Sequence, residues 1–382
     1  MSTLESWSMV ENQTKLVYRG RDAIILDPGT GSGGTSLFAG HIPWRNFWGM
    51  NASTSSRPLE AEAKTIIGGS FYGSRKYAST EVTTTWLNNT LAATDANGEY
   101  AVLTAKVSGD AWDQVAAGNK DSMLNIVRNV AITRRGQGKP AFAFTIHHEP
   151  DGDGPIGDPA NNNADRLASL EAWADMQMYC SDYFAGIKNS VYTPANDVSD
   201  VMAWCSIANG HWFGSRFPKP DRIAAAYPQA LYQKFAQNKS IIMADFYDAN
   251  PPNGSRDNPG GYASNADRTS VQMAGLINWA DNYGGTVALG CGEFGTTTDT
   301  QMQAVFDLVM SRRDVWAITL YFNNFANSRW DWRLIENTYP AYNGTNSKGL
   351  LDEGGSAMTE LQLIKFRALR DLSVTAPYTS AP

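Results

Sequence analysis

The stretch Ala141-Phe-Ala-Phe-Thr-Ile-His-His-Glu-Pro150 constrains the fold more than any other part of the chain. Its first six residues are apolar or β-prone, without the polar alternation of a strand that has one wet face. They therefore suit a strand covered on both faces, as in a parallel sheet. Pro150 cannot donate to a ladder and Asp151-Gly-Asp-Gly154 reads as a loop, so the strand stops where it delivers Glu149. Taken alone, Glu149 could equally be a solvated loop residue. A second stretch shares its grammar: Thr286-Val-Ala-Leu-Gly-Cys-Gly-Glu-Phe-Gly295 ends an apolar run in one glutamate, Glu293, fenced by glycines.

Short apolar runs of this kind recur, separated by loops rich in Gly, Asn and Asp and by segments of helical periodicity. Eight strands are expected, at Ser36–His41, Gly73–Ser79, Tyr100–Ser108, Ala141–His147, Val201–Ile207, Ser240–Phe246, Thr286–Gly290 and Trp316–Phe322. Trp173, Met176, Cys180, Tyr183, Phe184 and Ile187 share one face of a helix starting near Asn163. Met273, Leu276, Ile277 and Ala280 repeat the spacing, as do Met302, Val305, Phe306 and Val309, and a last helix is expected at Ser356–Asp371. Strands alternating with helices predict an α/β fold, and eight units predict a (β/α)8 TIM barrel. A doubly wound sheet is the other reading, but Gly29-Thr-Gly-Ser-Gly-Gly34 lacks the spacing and following helix of a dinucleotide fingerprint. The expected organisation is an N-terminal extension at 1–35, one barrel at 36–375 and a tail at 376–382.

With 382 residues and 42% hydrophobic content the chain can build one large core. A net charge of -7 without a basic stripe argues against a nucleic-acid partner. No apolar run is long enough for membrane insertion. Met1–Gly20 lacks the basic start and apolar core of a signal peptide, so the expected location is extracellular or virion-associated without a visible leader, the cytoplasm remaining open. Cys180, Cys205 and Cys291 are odd in number and sit in element interiors, which predicts buried free thiols. Trp44, Trp48, Trp212, Trp330 and Trp332 fall in polar stretches that suit stacking on sugar faces, core packing being the alternative.

In an eight-stranded barrel every strand's C-terminal end opens on one face, so Glu149 and Glu293 would share a cleft. Two carboxylates across a cleft are the machinery of glycoside hydrolysis, about 5 to 5.5 Å apart in retaining and about 6.5 to 9.5 Å in inverting enzymes.

Glutamates on the fourth and seventh strands, with His148-Glu149, resemble glycoside hydrolase family 26, the β-mannanase family within the retaining (β/α)8 clan. Lys106-Val-Ser-Gly-Asp-Ala-Trp-Asp-Gln-Val-Ala-Ala-Gly-Asn-Lys120 is similar to that family's approach to the motif, and the resemblance spans 36–335. It implies Glu149 as acid/base, Glu293 as nucleophile and His148 as a substrate contact. It further implies Tyr247 as the residue holding the nucleophile, Asp245 as a substrate neighbour, and Trp330 or Trp332 as a stacking platform. The family's Arg before His-Glu and Asn-Gly-Trp after it are replaced by Thr145-Ile-His-His148 and Pro150-Asp-Gly-Asp153, which puts mannan as substrate in question.

His211 and Trp212, after the fifth strand, read as cleft wall. Trp44, Arg45 and Trp48 either line the cleft or pack on the extension. Asp151 and Asp153 read as solvated loop acids. A metal at His147-His148-Glu149, joined by His211, is the rival chemistry. In a regular strand, however, His147 and Glu149 face one way and His148 the other, and there is no His-Glu-x-x-His or Cys-x-x-Cys. His147 therefore reads as a hydrogen-bonded barrel residue, and no metal or other cofactor is expected. Two functions stand: a retaining endo-glycosidase acting on a mannan-like or cell-surface polysaccharide, and a non-catalytic glycan-binding or structural protein. The second would be phage tail-associated, with virion or cell-surface assembly partners.

Overall fold

The computed structural model describes residues 73–78, 80–215, 218–247, 269–295, 299–312 and 315–323, together with strand segments 7–9, 16–18, 25–26 and 47–52. The chain forms two compact units, Met1–Ser36 and Leu37–Pro382. In the first, Trp7–Met9, Leu16–Tyr18 and Ile25–Leu26 pair as a small antiparallel sheet.

In the second, eight parallel strands close into a barrel: β1 Phe47–Ala52, β2 Gly73–Tyr77, β3 Tyr100–Ala105, β4 Phe142–Ile146, β5 Met202–Asn209, β6 Ile241–Tyr247, β7 Ala288–Gly295 and β8 Trp316–Asn323. Closure is through β8 and β1, which pair from Ile318↔Phe47 to Asn323↔Ala52. Among the described residues the α-helices are α1 Thr84–Asn97, α2 Trp112–Ala116, α3 Asp121–Gly136, α4 Asn163–Phe184, α5 Pro220–Ala226, α6 Gln229–Asn238, α7 Thr269–Asn282 and α8 Asp299–Ser311. The chain is a (β/α)8 barrel.

Strand period two divides the core into two layers. Inside the barrel sit Tyr100, Val102, Ala143, Ala203, Cys205, Ile207, Ile241 and Met243. Their strand neighbours Leu103, Phe142, Phe144, Ile146, Trp204, Ile242 and Phe246 pack outward with the helices. This is why continuous apolar runs, rather than alternating ones, form these strands. Cys180, Cys205 and Cys291 are buried and free.

Several expectations are corrected. Ser36–His41 lies outside the described residues, and the place of the first strand is taken by Phe47–Ala52. Gly49 and Asn51 make that segment read as a loop, but parallel pairing along β8 decides the matter. Trp48 is thus a strand residue rather than part of a loop. β7 runs on to Gly295 instead of ending at Gly290, so Glu293 lies within the ladder. A two-stranded hairpin, Ala185–Lys188 with Val191–Asp197, intervenes between α4 and β5 and had no signal strong enough to separate it from a loop. The expected helix at Ser356–Asp371 lies outside the described residues. Among the described residues no helix is long and apolar enough to cross a membrane.

Candidate active site

The fourth strand ends at Ile146, and the backbone beyond it is not extended. His147 has φ +58° and Glu149 φ +50°, two left-handed residues separated by one. Each costs about 1 kcal/mol or more for a residue with a side chain, so neighbours must hold them. They do. The His147 amide donates to Ala105 O (2.8 Å) and the Glu149 amide to Ile207 O (3.0 Å), tying the turn to the strands on either side. From α4, Gln177 Nε2 donates to Ile146 O (3.2 Å) and Trp173 Nε1 to His147 O (3.3 Å), satisfying the carbonyls at the strand end.

The double kink overturns the alternation expected for His147-His148-Glu149. His148 is the residue that turns into the barrel, its ring 5.3 Å from that of Tyr77. Its ligand-capable nitrogen and carboxylate oxygens of Asp245 and Glu293 all lie within 4.8 Å of one another. His147 turns the other way and is fully buried. It packs edge-on against Trp112, with Nε2 3.1 Å from Asp153 Oδ2 and Nδ1 3.5 Å from Asp110 Oδ1.

On β7 the inward positions run Ala288 then Gly290, which by strict alternation would send Glu293 outward. A bulge corrects this: Ala244 pairs with Cys291 but Asp245 pairs with Glu293, leaving Gly292 as the extra residue. A Cβ on Gly292 would stand 2.5 Å from Asp245 Oδ1 and 2.7 Å from Arg75 Nη1, so only glycine fits.

Arg75, on β2, was not singled out from sequence and is the centre of the cluster. It is completely buried; Nη1 donates to Asp245 Oδ1 (2.8 Å) and Oδ2 (3.0 Å), Nε donates to Thr104 Oγ1 (3.0 Å), and Nη1 lies 3.4 Å from Glu293 Oε1. The available signal was an arginine at an inward position of a short strand, where a charge survives only with partners. Burial works against this charge, but Asp245, Tyr77 and Glu293 outweigh it and push the Arg75 pKa above its ordinary value. The guanidinium serves Asp245 and Glu293 as their cation.

The carboxyls divide their labour accordingly. Burial, then the charge of Asp245, pushes Glu149 up to about 8, with Arg75 opposing and Asp151 and Asp153 adding to the rise. Burial also raises Asp245, to about 6, but the Arg75 charge and hydrogen bonds hold it down. The guanidinium lies on Asp245, so the proton that the pair holds near neutrality resides on Glu149. His148 is pushed well below its ordinary value by burial and then by Arg75, which keeps it neutral.

Asp151, expected as a solvated loop acid, is a structural ion-pair partner, whereas Asp153 is half-exposed as a loop acid should be, with one oxygen on the His147 ring. Asp151 Oδ2 accepts from Trp212 Nε1 (3.2 Å), pairs with Arg222 and lies 3.4 Å from His211 Nε2, while Oδ1 lies 3.1 Å from Arg166 Nε. Burial opposes ionisation, but the His211 hydrogen bond and the Arg222 charge hold Asp151 below the usual carboxylate range. Asp153 is held low chiefly by its bond to His147.

Of the residues singled out from sequence, the barrel gathers His148, Asp245 and Glu293, with Glu149 close enough to feel Asp245. His211 stands half-exposed with Nε2 3.4 Å from Asp151 Oδ2. Trp212 is corrected: its ring is fully buried and its N–H is spent on Asp151, leaving no face for a sugar. Asp245 is likewise buried, reaching the cluster through Arg75 rather than through open solvent. Tyr247 ends β6, and its side chain lies outside the described residues, as do Trp44, Arg45, Trp330 and Trp332.

No protein-family model and no curated protein matches the chain. Among solved structures, it is similar to GH26A from Muricauda sp. at 10% identity, over 76% of this chain and 90% of that one, with a TM-score of 0.44. It is similar to a GH5-4 broad specificity endoglucanase from Clostridium longisporum at 12% identity, over 88% and 99% of the two chains, with a TM-score of 0.49. A GH5 xyloglucanase from Bacteroides ovatus gives 10% identity over 94% and 85%, with a TM-score of 0.47. At these identities the likeness concerns the course of the chain and no individual side chain.

Proposed function

We propose that the barrel is a retaining endo-glycosidase that cleaves a polysaccharide by double displacement. Glu149 is the acid/base and Glu293 the nucleophile. The observation that carries the reading is the split between the two: burial and Asp245 keep a proton on Glu149 near neutrality, whereas the Arg75 guanidinium stands 3.4 Å from Glu293 and favours its carboxylate. One protonated and one ionised carboxyl is the resting state that glycoside hydrolysis needs.

In the first step Glu293 attacks the anomeric carbon while Glu149 delivers its proton to the departing glycosidic oxygen. Esterification removes the Glu293 charge. Glu149, now ionised, takes a proton from water as that water attacks the anomeric carbon and releases Glu293. His148, neutral and facing the cluster, contacts the sugar; Arg75 orients Glu293 and Asp245 together.

The experiment is release of reducing ends from a panel of polysaccharides. Wild type is expected to act on at least one, and Glu149→Gln and Glu293→Gln are each expected to lose at least ~1,000-fold while still binding it, on the order of the effects seen when a reacting group is removed. If wild type binds a glycan and cleaves none, the non-catalytic glycan-binding reading takes its place, whether or not the protein is virion-associated.

A further inference from the structure

The ion pairs around Asp151 do not balance. One carboxylate, its side chain 12% exposed, faces the guanidinium groups of Arg166 (17%) and Arg222 (13%), and the His211 imidazole (47%) stands beside it. Asp153 is engaged by His147, and Asp165 accepts from the Asp158 amide, so neither neutralises these arginines through a bond of its own. Arg166 Nη2 donates to Ala160 O (3.1 Å), a neutral acceptor. Arg222 Nε–H is buried without a hydrogen-bond acceptor, and Arg166 Nε meets Asp151 Oδ1 at 3.1 Å without hydrogen-bond geometry. Among the described residues no second carboxylate forms an ion pair with these two half-hidden guanidinium groups, and a surplus of positive charge in such a place is stabilised by a counter-anion.

The position of this surplus gives it meaning. Asp151 is two residues beyond Glu149 and its charge acts on Glu149, while its amide donates to Asn209 Oδ1 (3.0 Å) at the end of β5. The cluster therefore belongs to the mouth of the barrel, on the Glu149 side of the cleft, and it meets solvent at His211. Guanidinium groups match a carboxylate in shape as well as charge.

We infer that Arg166, Arg222 and His211 form a subsite for the carboxylate of a uronic acid, so that the polysaccharide bound in this cleft is acidic. The inference rests on the glycosidase reading for the fate of the bound sugar but not for the binding itself. Asp151 holds the two arginines at the cleft wall, and the ligand's carboxylate supplies the second negative charge.

The test is calorimetric titration of full-length Glu293→Gln protein at low salt with three sets of oligosaccharides: pectate and alginate (uronates), carrageenan (sulfate esters and no carboxylate), and neutral mannan and xyloglucan fragments. Uronate oligosaccharides are expected to bind at least about tenfold more tightly than neutral ones, with the advantage shrinking as salt rises. Adding Arg222→Gln should abolish that advantage and Arg222→Lys should retain part of it, thermal melts establishing that each is folded. Equal binding of uronate and neutral fragments overturns the inference, and that comparison needs no arginine variant. Binding of sulfated fragments without binding of pectate or alginate overturns the assignment to carboxylate. The two readings fail separately: cleavage of neutral glycans with no uronate binding sinks the subsite alone, and uronate binding without turnover of any glycan sinks the glycosidase alone.

Discussion

Glu149 is a strained residue, with φ +50°, held in place by a bond to Ile207 O and given its proton by burial and by Asp245. Activity should therefore fall as pH rises past about 8, when that proton is lost. Asp245 sharpens the prediction, because its charge raises Glu149 and Arg75 opposes the rise. Asp245→Asn removes the first and releases the second, so the alkaline limb of the kcat/KM profile should move to lower pH by on the order of one unit. A limb that stays in place would mean that Asp245 does not act on Glu149. Residue types at these positions were readable from sequence: both glutamates and Asp245 stood out as carboxylates near apolar strand ends. Their environments were not. Arg75 gave no motif, and the burial of Trp212 could not be told from a loop tryptophan, because both facts depend on what other strands bring close.

At the level of elements, the site depends on two departures from regular strand. The kink after β4 sends His148 inward, and the bulge at Gly292 brings Glu293 beside Asp245. Gly292→Ala would press a methyl group on Asp245 Oδ1 and Arg75 Nη1, so it should cost about 1–3 kcal/mol in stability and at least ~100-fold in kcat, read by urea melts and steady-state kinetics. Trp173→Phe removes the donor to His147 O and should destabilise by about 1–3 kcal/mol, because a buried carbonyl loses its partner. The core strands and long helices were legible because their pattern is local: Asn163–Phe184 begins where its apolar face predicted, although Ile187, expected on that face, lies in the hairpin strand Ala185–Lys188. The bulge and the kink were not, since they break the alternation by which strands are read. Phe47–Ala52 was missed for the related reason that pairing, not composition, makes it a strand.

For the whole molecule, protonation of the site ties stability to pH. Glu149 has a raised pKa in the fold, so it contributes stability that is full below about 4.5 and lost as pH rises through about 8. His148 has the opposite sign: its lowered pKa contributes stability above about 6.5 that is lost as pH falls. Asp245 titrates near 6, so between about 6.5 and 8 the Glu149 contribution is the one still changing in this cluster. Chemical denaturation should show stability declining across that window in wild type and a flatter course in Glu149→Gln; parallel curves would contradict the assignment of the proton.

Whether this barrel works as a two-glutamate retaining enzyme is settled most directly by time-resolved proton NMR of wild-type protein with the polysaccharide panel. Double displacement at Glu293 predicts that the first anomeric signal to appear has the configuration of the bond that was cut, with the other anomer growing in only by mutarotation. First appearance of the inverted anomer would contradict the double displacement, and the absence of any new anomeric signal across the panel would contradict the enzyme.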